Sequence, residues 1–207
     1  MKSLDDLVDS AEELTALGLS KGEIADELNV SRETANWLVE QTDAGGTPSE
    51  TAEEKPHDIH VDWSAIGRDS QRLAYVGRAM ADLLSKEGDA VDLTIGIGKS
   101  GGPLATTVAR DLETDLSVYT PSKHRWNDTE AETTGSFSRN FASIRGRDCY
   151  IVDDNIDTGK TMTETIEIVR EKGGNPVAGA VLTDKLGEST VEGVPIYSLI
   201  QVVQMTD

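Results

Sequence analysis

The chain has 207 residues, of which 37% are apolar and only 4% aromatic, and its 38 acidic residues outnumber 19 basic ones to give a net charge of −19. This length accommodates one α/β domain of about 140–150 residues and a smaller module of about 40–60 residues. The sequence contains no run of 18 apolar residues and no basic stretch leading into an apolar one, which excludes a membrane span and predicts a cytoplasmic protein. The single cysteine, Cys149, excludes an internal disulfide framework and is expected to be a small buried strand residue.

The acidic balance has two possible meanings. A strongly acidic protein ordinarily repels nucleic acid and anionic lipid. Proteins that work in molar salt also carry dense surface carboxylates, because at 1 M salt the screening length is only about 3 Å. With two acids for each base and only nine lysines, the composition resembles that of a haloarchaeal cytoplasmic protein. We therefore interpret the charge as a halophilic adaptation to the solvent, which says little about binding partners.

The segment 42–62 separates two parts of different character. It holds two glycines, two prolines and six acids with almost no apolar periodicity, which predicts a linker. The preceding residues, 1–41, predict a compact helical domain. The following residues, 63–207, predict an alternation of strands and helices.

The N-terminal segment predicts three helices. Apolar residues recur at helical spacing over residues 4–17, where the pattern ends at a glycine. Ser20 and Glu23 form the pair expected of a capping box at the start of a second, shorter helix. An Asn-Val turn follows, and Ser31 is placed to cap a third helix over residues 32–41.

This order of helix, short turn and capped helix resembles the helix-turn-helix of bacterial and archaeal DNA-binding regulators. The resemblance covers residues 21–39 and implies that the third helix enters the DNA major groove, with Ala35 and Leu38 packed inward. The residues that it places toward promoter DNA are Ser31, Arg32, Thr34 and Asn36. Residues 1–41 carry ten acids against three bases, so base contacts rather than counterion release are expected to supply the affinity. A three-helix dimerisation bundle fits the same local pattern.

The C-terminal segment predicts an α/β fold. Apolar strands are predicted over 92–97, 115–119, 148–152, 177–183 and 194–200, and helices over 65–86, 103–113 and 161–172. This alternation is typical of a parallel sheet covered by helices on both faces. Ligands of such sheets bind at the carboxyl ends of the strands.

The sharpest motif follows the strand predicted over 148–152. Two adjacent carboxylates, Asp153 and Asp154, precede a Thr-Gly-Lys-Thr turn that opens a helix. The backbone N–H groups of residues 157–161 can form a nest for a phosphate at the helix N-terminus, and Gly159 permits close approach of the backbone. The carboxylates accept hydrogen bonds and therefore suit ribose hydroxyls. A Walker A loop is excluded, because neither Gly-Lys pair of the chain has a glycine five residues before it.

The motif resembles the signature of the type I phosphoribosyltransferases, which bind 5-phosphoribosyl-1-pyrophosphate (PRPP), and the resemblance covers roughly residues 65–200. It implies that Asp153 and Asp154 hold the ribose 2′- and 3′-hydroxyls. The residues that it places around the 5′-phosphate are Asp157, Thr158, Gly159, Lys160 and Thr161. A second stretch resembles the pyrophosphate loop of orotate phosphoribosyltransferases, with the ligand-binding residues Lys99, Ser100, Gly101 and Gly102. No residue is implied to bind a metal directly, and Mg²⁺ is implied only as a companion of PRPP.

Basic residues are concentrated in the C-terminal segment. Residues 63–207 contain 15 of the 19 lysine and arginine residues of the chain. We expect several of them to flank the proposed anion site: Lys99, Lys123, Arg125, Arg139, Arg145, Arg147 and Lys160. We therefore expect an anion pocket within this acidic protein.

Three features depart from the patterns of the phosphoribosyltransferases, the first from that of the orotate enzymes and the last from that of the purine enzymes. The stretch 120–128 lacks the lysine-rich pattern of that family's flexible loop, although Lys123 and its two neighbours can neutralise a pyrophosphate. Asn155 stands where the family usually has an apolar residue. Tyr197, the nearest candidate to stack on a purine, is expected to lie in the core. A sugar-phosphate site without a clear nucleobase site favours a sensor over an enzyme.

A helix-turn-helix joined to an orotate-transferase-like domain, in an acidic chain, resembles the haloarchaeal and methanogen transcriptional regulators of glucose and fructose catabolism. That resemblance implies a homodimer that binds promoter DNA and a phosphorylated sugar metabolite or PRPP. The alternative is a working phosphoribosyltransferase for orotate or a purine, in which Lys123 stabilises the leaving group and Asp157 acts as base or base-binding acceptor. The signature supports both interpretations, whereas the capped third helix and the unusual 120–128 stretch favour the regulator.

Overall fold

The computed structural model describes residues 4–43, 58–87, 89–121 and 135–203. Its helices are α1 (Leu4–Ala16), α2 (Lys21–Leu28), α3 (Arg32–Asp43), α4 (Ser64–Gly67), α5 (Ser70–Glu87), α6 (Gly98–Leu112) and α7 (Lys160–Glu171). Its strands are β1 (Leu93–Ile97), β2 (Asp115–Thr120), β3 (Ser136–Phe137), β4 (Asp148–Ile156), β5 (Asn175–Asp184), β6 (Thr190–Val191) and β7 (Val194–Gln201). The chain divides into two compact units, Met1–Ala65 and Ile66–Asp207.

The N-terminal unit is built on the three predicted helices, α1 to α3. Their facing sides share one apolar core, whose buried residues are Leu7, Ala11, Ile24, Ala25, Leu28, Val30, Ala35, Leu38 and Val39. Ala35 and Leu38 are completely buried, as the pattern of the third helix predicted. The apolar pattern over residues 4–17 predicted that the first helix includes Leu17, which was wrong: α1 ends at Ala16, and Leu17 lies beyond it with 71% of its surface exposed.

The C-terminal unit contains a seven-stranded sheet in the order β3-β2-β1-β4-β5-β7-β6. The five central strands pair in parallel, and the two-residue strands β3 and β6 pair antiparallel at the two edges. Helices cover both faces of this sheet, as predicted. Successive residues of a strand face opposite sides, so Ile151 packs in the core beneath α7 while Tyr150 and Val152 pack beneath α5 and α6.

Two predicted helix starts were wrong. The helix expected over 65–86 is divided into α4 and α5, because the Asp69 carboxylate accepts hydrogen bonds from the backbone N–H groups of Gln71 and Arg72 and caps α5. These backbone bonds, with the Arg72 guanidinium, lower the pKa of Asp69. The helix expected over 103–113 already begins at Gly98, so the glycine-rich stretch forms its first turns and not a separate loop.

Cys149 lies on β4 and is completely buried, as predicted. Burial, together with the Asp148 carboxylate, raises the pKa of its thiol to about 12. Within the described ranges, none of the helices is both long enough and apolar enough to traverse a lipid bilayer.

Candidate functional site

Two helices of the C-terminal unit begin at the carboxyl edge of the sheet, where strands β1 and β4 lie side by side. β1 runs directly into α6, and β4 leads into α7 through a three-residue turn over residues 157–159. Both helix N-termini therefore lie at the edge where ligands of parallel sheets bind. The first four N–H groups of a helix have no partner within the helix, so each terminus offers donors to an anion.

The start of α7 depends on Gly159. This residue is the N-cap with a positive φ of 75°, and no side chain caps the helix. A Cβ at Gly159 would lie 3.2 Å from Cδ2 of Leu186, so a larger residue would be both strained and crowded. Thr158 and Lys160 are exposed and lie on either side of it. The predicted phosphate-binding residues thus surround an uncapped helix terminus.

A hydrogen bond from the sheet also holds helix α7. The phenol of Tyr119, on β2, donates a 2.7 Å hydrogen bond to the Glu164 carboxylate in the second turn of α7. Burial and this neighbouring carboxylate raise the pKa of Tyr119. The raised pKa keeps the tyrosine protonated as a donor, and this bond adds to the core packing of Met162, Ile166 and Val169 that holds α7 on the sheet.

The start of α6 lies against β4. Gly98 has a φ of 59°, and the N-cap residue Ile97 provides no side-chain hydrogen bond. A Cβ at Gly101 would lie 2.5 Å from the carbonyl oxygen of Val152 and 3.0 Å from Oδ1 of Asp153. Only glycine permits this approach, which brings the first turn of α6 to the acidic pair. Gly102 is buried, Ser100 is half-buried and Lys99 is exposed.

The prediction that Asp153 and Asp154 follow the strand was wrong. Both residues form part of the strand, because β4 extends to Ile156. Consecutive strand residues face opposite sides of the sheet. Asp153 is half-buried, and its Oδ1 accepts the backbone N–H of Asp154 at 2.9 Å. Asp154 is only 7% exposed. Asp153 is therefore the more accessible of the two carboxylates.

The segment after β5 also lies at this edge, which the sequence reasoning missed. Lys185 donates its backbone N–H to the carbonyl of Ile156 at 2.9 Å, and Leu186 lies against Gly159. Asp184 fixes the turn by accepting the N–H groups of residues 186 and 187 at 2.8 and 2.9 Å. A strand followed by Asp-Lys-Leu-Gly is a turn signal, and reading it could have located this segment.

The expectation about flanking charges was wrong for Arg145 and Arg147. Both precede β4 and lie at the amino end of the strands, opposite the candidate site. Arg147 forms a 2.7 Å ion pair there with Asp115, the first residue of β2. Lys123 and Arg125 lie outside the described residues. Among the residues that the structure describes, no cluster of three or more histidine, cysteine or acidic side chains could hold a metal ion.

The second candidate site is the exposed side of α3 in the N-terminal unit. Between α2 and α3 the chain turns at Asn29, which adopts a left-handed conformation with a φ of 52° and closes α2. Arg32 and Asn36 are exposed on α3, on the side away from buried Ala35 and Leu38. The Arg32 guanidinium lies beside Gly22 of α2, about 3.4 Å from where a Cβ would stand.

Ser31 and Thr34, also predicted to face DNA, have a structural role. The Ser31 hydroxyl accepts the backbone N–H of Thr34 at 3.1 Å, which caps α3, and the two hydroxyls lie 2.9 Å apart. The backbone N–H of Ser31 donates to the Asp58 carboxylate at 2.6 Å. Arg32 and Asn36 are therefore the two of the four residues whose side chains are exposed.

Comparison with known proteins agrees with this architecture. Residues 62–203 match the phosphoribosyl transferase domain family. The transcriptional regulator GfcR of Haloarcula marismortui is 66% identical over 206 residues, covering 99% of this chain and 97% of that protein. The transcriptional regulator GfcR of Methanosarcina mazei is 42% identical over 209 residues, covering 99% and 100%. The chain belongs to the GfcR family of transcriptional regulators.

The fold of the C-terminal unit also occurs in solved enzymes. The orotate phosphoribosyltransferase of Mycobacterium tuberculosis, solved in complex with PRPP, superposes with a TM-score of 0.54 at 20% identity, covering 69% of this chain and 80% of that one. At that identity the likeness establishes the fold alone. The GfcR-family chain is thus a transcriptional regulator whose larger unit has the type I phosphoribosyltransferase fold.

Proposed function

We propose that this regulator binds promoter DNA as a homodimer through α3, in a helix-turn-helix, and senses a phosphorylated sugar metabolite or PRPP through the C-terminal unit to control sugar catabolism. The observation that carries the proposal is the uncapped N-terminus of α7 beside Asp153 and the start of α6. A helix start whose N–H groups meet no side-chain cap is suited to a phosphate. Mg²⁺ enters only as the companion of PRPP, and the cytoplasm is the compartment in which promoter DNA and sugar phosphates meet.

The ligand half of the proposal rests on Asp153 and the two helix starts. The phosphate accepts N–H groups from residues 157–161, and the carboxylates accept the hydroxyls of the sugar. Lys99 and Lys160 are exposed at the two starts and supply positive charge. The half-buried Asp153 is the first candidate for a sugar hydroxyl, because Asp154 is almost completely buried.

This half is tested by calorimetry at high KCl with PRPP, ribose 5-phosphate and inorganic phosphate. The double variant Asp153→Asn, Asp154→Asn should weaken the two ribosyl ligands by about ten- to hundredfold, because a hydrogen bond to a charged group contributes about 1.5–3 kcal/mol. Inorganic phosphate should bind as before. Asp82→Asn, an exposed change on α5, is the matched control and should alter the affinity neither for the ribosyl ligands nor for inorganic phosphate. Unchanged ribosyl affinities in the double variant would contradict the assignment.

The DNA half rests on the exposed face of α3. Arginine pairs with guanine and asparagine with adenine in the major groove, so Arg32 and Asn36 are the natural base contacts. Because residues 1–41 carry ten acids and three bases, counterion release adds little affinity. Binding should therefore persist in molar KCl, where a basic helix-turn-helix protein would have dissociated.

Footprinting on the gene's own promoter from about 0.5 to 3 M KCl tests this half, since screening is strong throughout that range. Arg32→Ala should cost about 1–3 kcal/mol of binding at the specific site. Glu40→Ala, on an exposed position near the other end of α3, is the control for a change on the same helix. Absence of protection at every salt concentration, with and without sugar phosphates, would refute DNA binding.

A working phosphoribosyltransferase is the second candidate, favoured by the acidic pair and the Thr-Gly-Lys-Thr turn of the signature over residues 153–161. We expect nucleotide formation from PRPP and orotate, hypoxanthine, guanine or adenine to be negligible. Robust synthesis that is abolished by Lys123→Ala would instead identify an enzyme.

A further inference from the structure

Two polar atoms at the carboxyl ends of β4 and β5 are buried without a hydrogen-bond partner. They are Oδ1 of Asn155 and the hydroxyl oxygen of Thr183. Thr183 is only 1% exposed, and Asn155 is half-buried with its Oδ1 covered. Buried polar atoms in folded proteins are almost always hydrogen-bonded, so an unpartnered pair indicates a role beyond folding.

The two residues lie side by side. Asn155 and Thr183 are register partners on adjacent parallel strands, so their side chains share a face of the sheet. The next register pair, Ile156 and Asp184, ends both strands. Immediately beyond it, the turn over residues 157–159 meets the turn after β5. The unpartnered pair therefore lies directly beneath the proposed phosphate-binding turn.

Two other buried threonines of this unit are hydrogen-bonded within the protein. The Thr94 hydroxyl lies 2.7 Å from that of Thr114, and the Thr165 hydroxyl donates to the carbonyl of Thr161 at 2.7 Å. Ser117 is a third buried hydroxyl without a partner, but it lies within β2 opposite Ile95, away from the carboxyl edge. Asn155 and Thr183 differ from Ser117 because they are register partners on adjacent strands and lie at the carboxyl edge of the sheet.

We propose that Asn155 contacts a hydroxyl group of a phosphorylated sugar, and that Thr183 is a positioning residue that orients the Asn155 amide. The inference rests on the proposed function, because it takes the phosphate to lie on residues 157–161. When the sugar binds, the Asn155 amide turns about its broad terminal torsion, and its Oδ1 then accepts the Thr183 O–H, a bond that is absent without ligand. Its Nδ2 group is then left to donate to the sugar.

The surrounding sequence favours a sugar over a nucleobase at this position. Segments 153–161 and 183–188, which form the edge around Asn155, contain no aromatic residue. A nucleobase would find no stacking ring on either segment, whereas a sugar needs only hydrogen-bonding groups. The ligand class assigned here is therefore a polyhydroxylated sugar phosphate.

The test compares ribose 5-phosphate, adenosine 5′-monophosphate and inorganic phosphate by calorimetry on the full chain. Asn155→Leu should weaken ribose 5-phosphate by about tenfold and leave inorganic phosphate unchanged, since one hydrogen bond is lost. Thr183→Val should weaken it severalfold, and Thr183→Ser, which keeps the hydroxyl, should restore it. Ser117→Ala, which removes a buried unpartnered hydroxyl elsewhere, is the control. It should change the affinity for neither ribose 5-phosphate nor inorganic phosphate.

Thermal unfolding without ligand guards against a merely structural effect. Thr183→Val replaces an unpartnered hydroxyl by a methyl group of the same shape, so its melting temperature should equal or exceed that of the wild type. A clear drop in melting temperature would show that the hydroxyl has a partner in the fold and would overturn the inference.

The remaining outcomes separate this inference from the proposed function. If ribose 5-phosphate and inorganic phosphate bind the wild type but the Asn155 and Thr183 variants bind ribose 5-phosphate equally well, the inference fails and the proposed function stands. If only adenosine 5′-monophosphate is weakened by Asn155→Leu, the sugar class is wrong. If no phosphorylated probe binds the wild type, the proposed sensing function fails and this inference falls with it.

Discussion

The helices of this protein begin in two different ways. In the N-terminal unit, Ser20 and Glu23 form a complete capping box on α2, and Ser31 caps α3. In the C-terminal unit, Asp69 caps α5, whereas α6 and α7 have no side-chain cap. Capped starts have their N–H groups satisfied by the protein and support the fold. The two starts without a side-chain cap lie together at the carboxyl edge of the sheet, where we propose that the ligand binds.

The largest expected effect is on the open start of α6. Gly101→Ala would drive a Cβ to 2.5 Å from the backbone carbonyl of Val152, and neither backbone can move without separating α6 from β4. We expect a loss of about 1–3 kcal/mol in the free energy of unfolding, typical of overpacking, together with loss of phosphate binding. Urea unfolding at fixed KCl and calorimetry measure the two effects.

Gly102→Ala is the matched control for stability, because nothing lies within 4 Å of a Cβ there and the position is helical. This variant should be neutral or slightly stabilising, since alanine is favoured over glycine in a helix. Equal destabilisation by both variants would mean that the close approach of α6 to β4 is not what holds this start in place.

A smaller effect is expected at the open start of α7. Gly159→Ala places a side chain at a φ of 75° and against Leu186, so about 1–2 kcal/mol of stability should be lost. Phosphate affinity should fall about tenfold or more, because the N–H groups of the turn are displaced. Gly146→Ala is the control, because Gly146 has the same φ, lies before β4 and has nothing within 4 Å of where a Cβ would stand. This variant should lose comparable stability and keep its phosphate affinity. A matching loss of affinity in both variants would remove the special role of the α7 start.

The smallest effect is expected at a capped start. Ser20→Ala removes the side-chain partner of the Glu23 backbone N–H and should lower the stability of the N-terminal unit by about 1 kcal/mol. Ligand affinity in the C-terminal unit should be unchanged. Ser10→Ala, within α1 and away from any cap, should have almost no effect on thermal unfolding. Altered phosphate binding in Ser20→Ala would break the division between structural and ligand-binding helix starts.

Local sequence signals predicted most elements, and the errors have identifiable causes. The capping box at Ser20 and the strand, turn and helix order around Gly159 depend on near neighbours, which a sequence displays directly. The start of α6 was misplaced because two glycines and Pro103 are loop signals, yet packing of Gly101 on β4 continues the helix through them. A tertiary contact, which local sequence does not show, therefore determines where α6 begins.

The site was predicted only as far as its local motifs extend. Residues 153–161 were identified from their pattern, but the burial of Asp154 and the contact of Leu186 with Gly159 depend on how strands align. The pairing of Asn155 with Thr183 requires the register of β4 and β5, which no local signal contains. The sequence likewise predicted that Ser31 and Thr34 lie at the start of α3. It could not show that their hydroxyls bond to each other and are therefore not free to contact DNA.

The buried cysteine has a practical consequence for labelling chemistry. Cys149 is the only thiol of the chain, it is fully covered, and its raised pKa keeps it protonated at neutral pH. Because the thiolate is the nucleophile, maleimide reagents should pass over it in the folded protein. A cysteine introduced at exposed Glu40 would then be the single reactive position, so a fluorophore on α3 could be attached without removing any native residue.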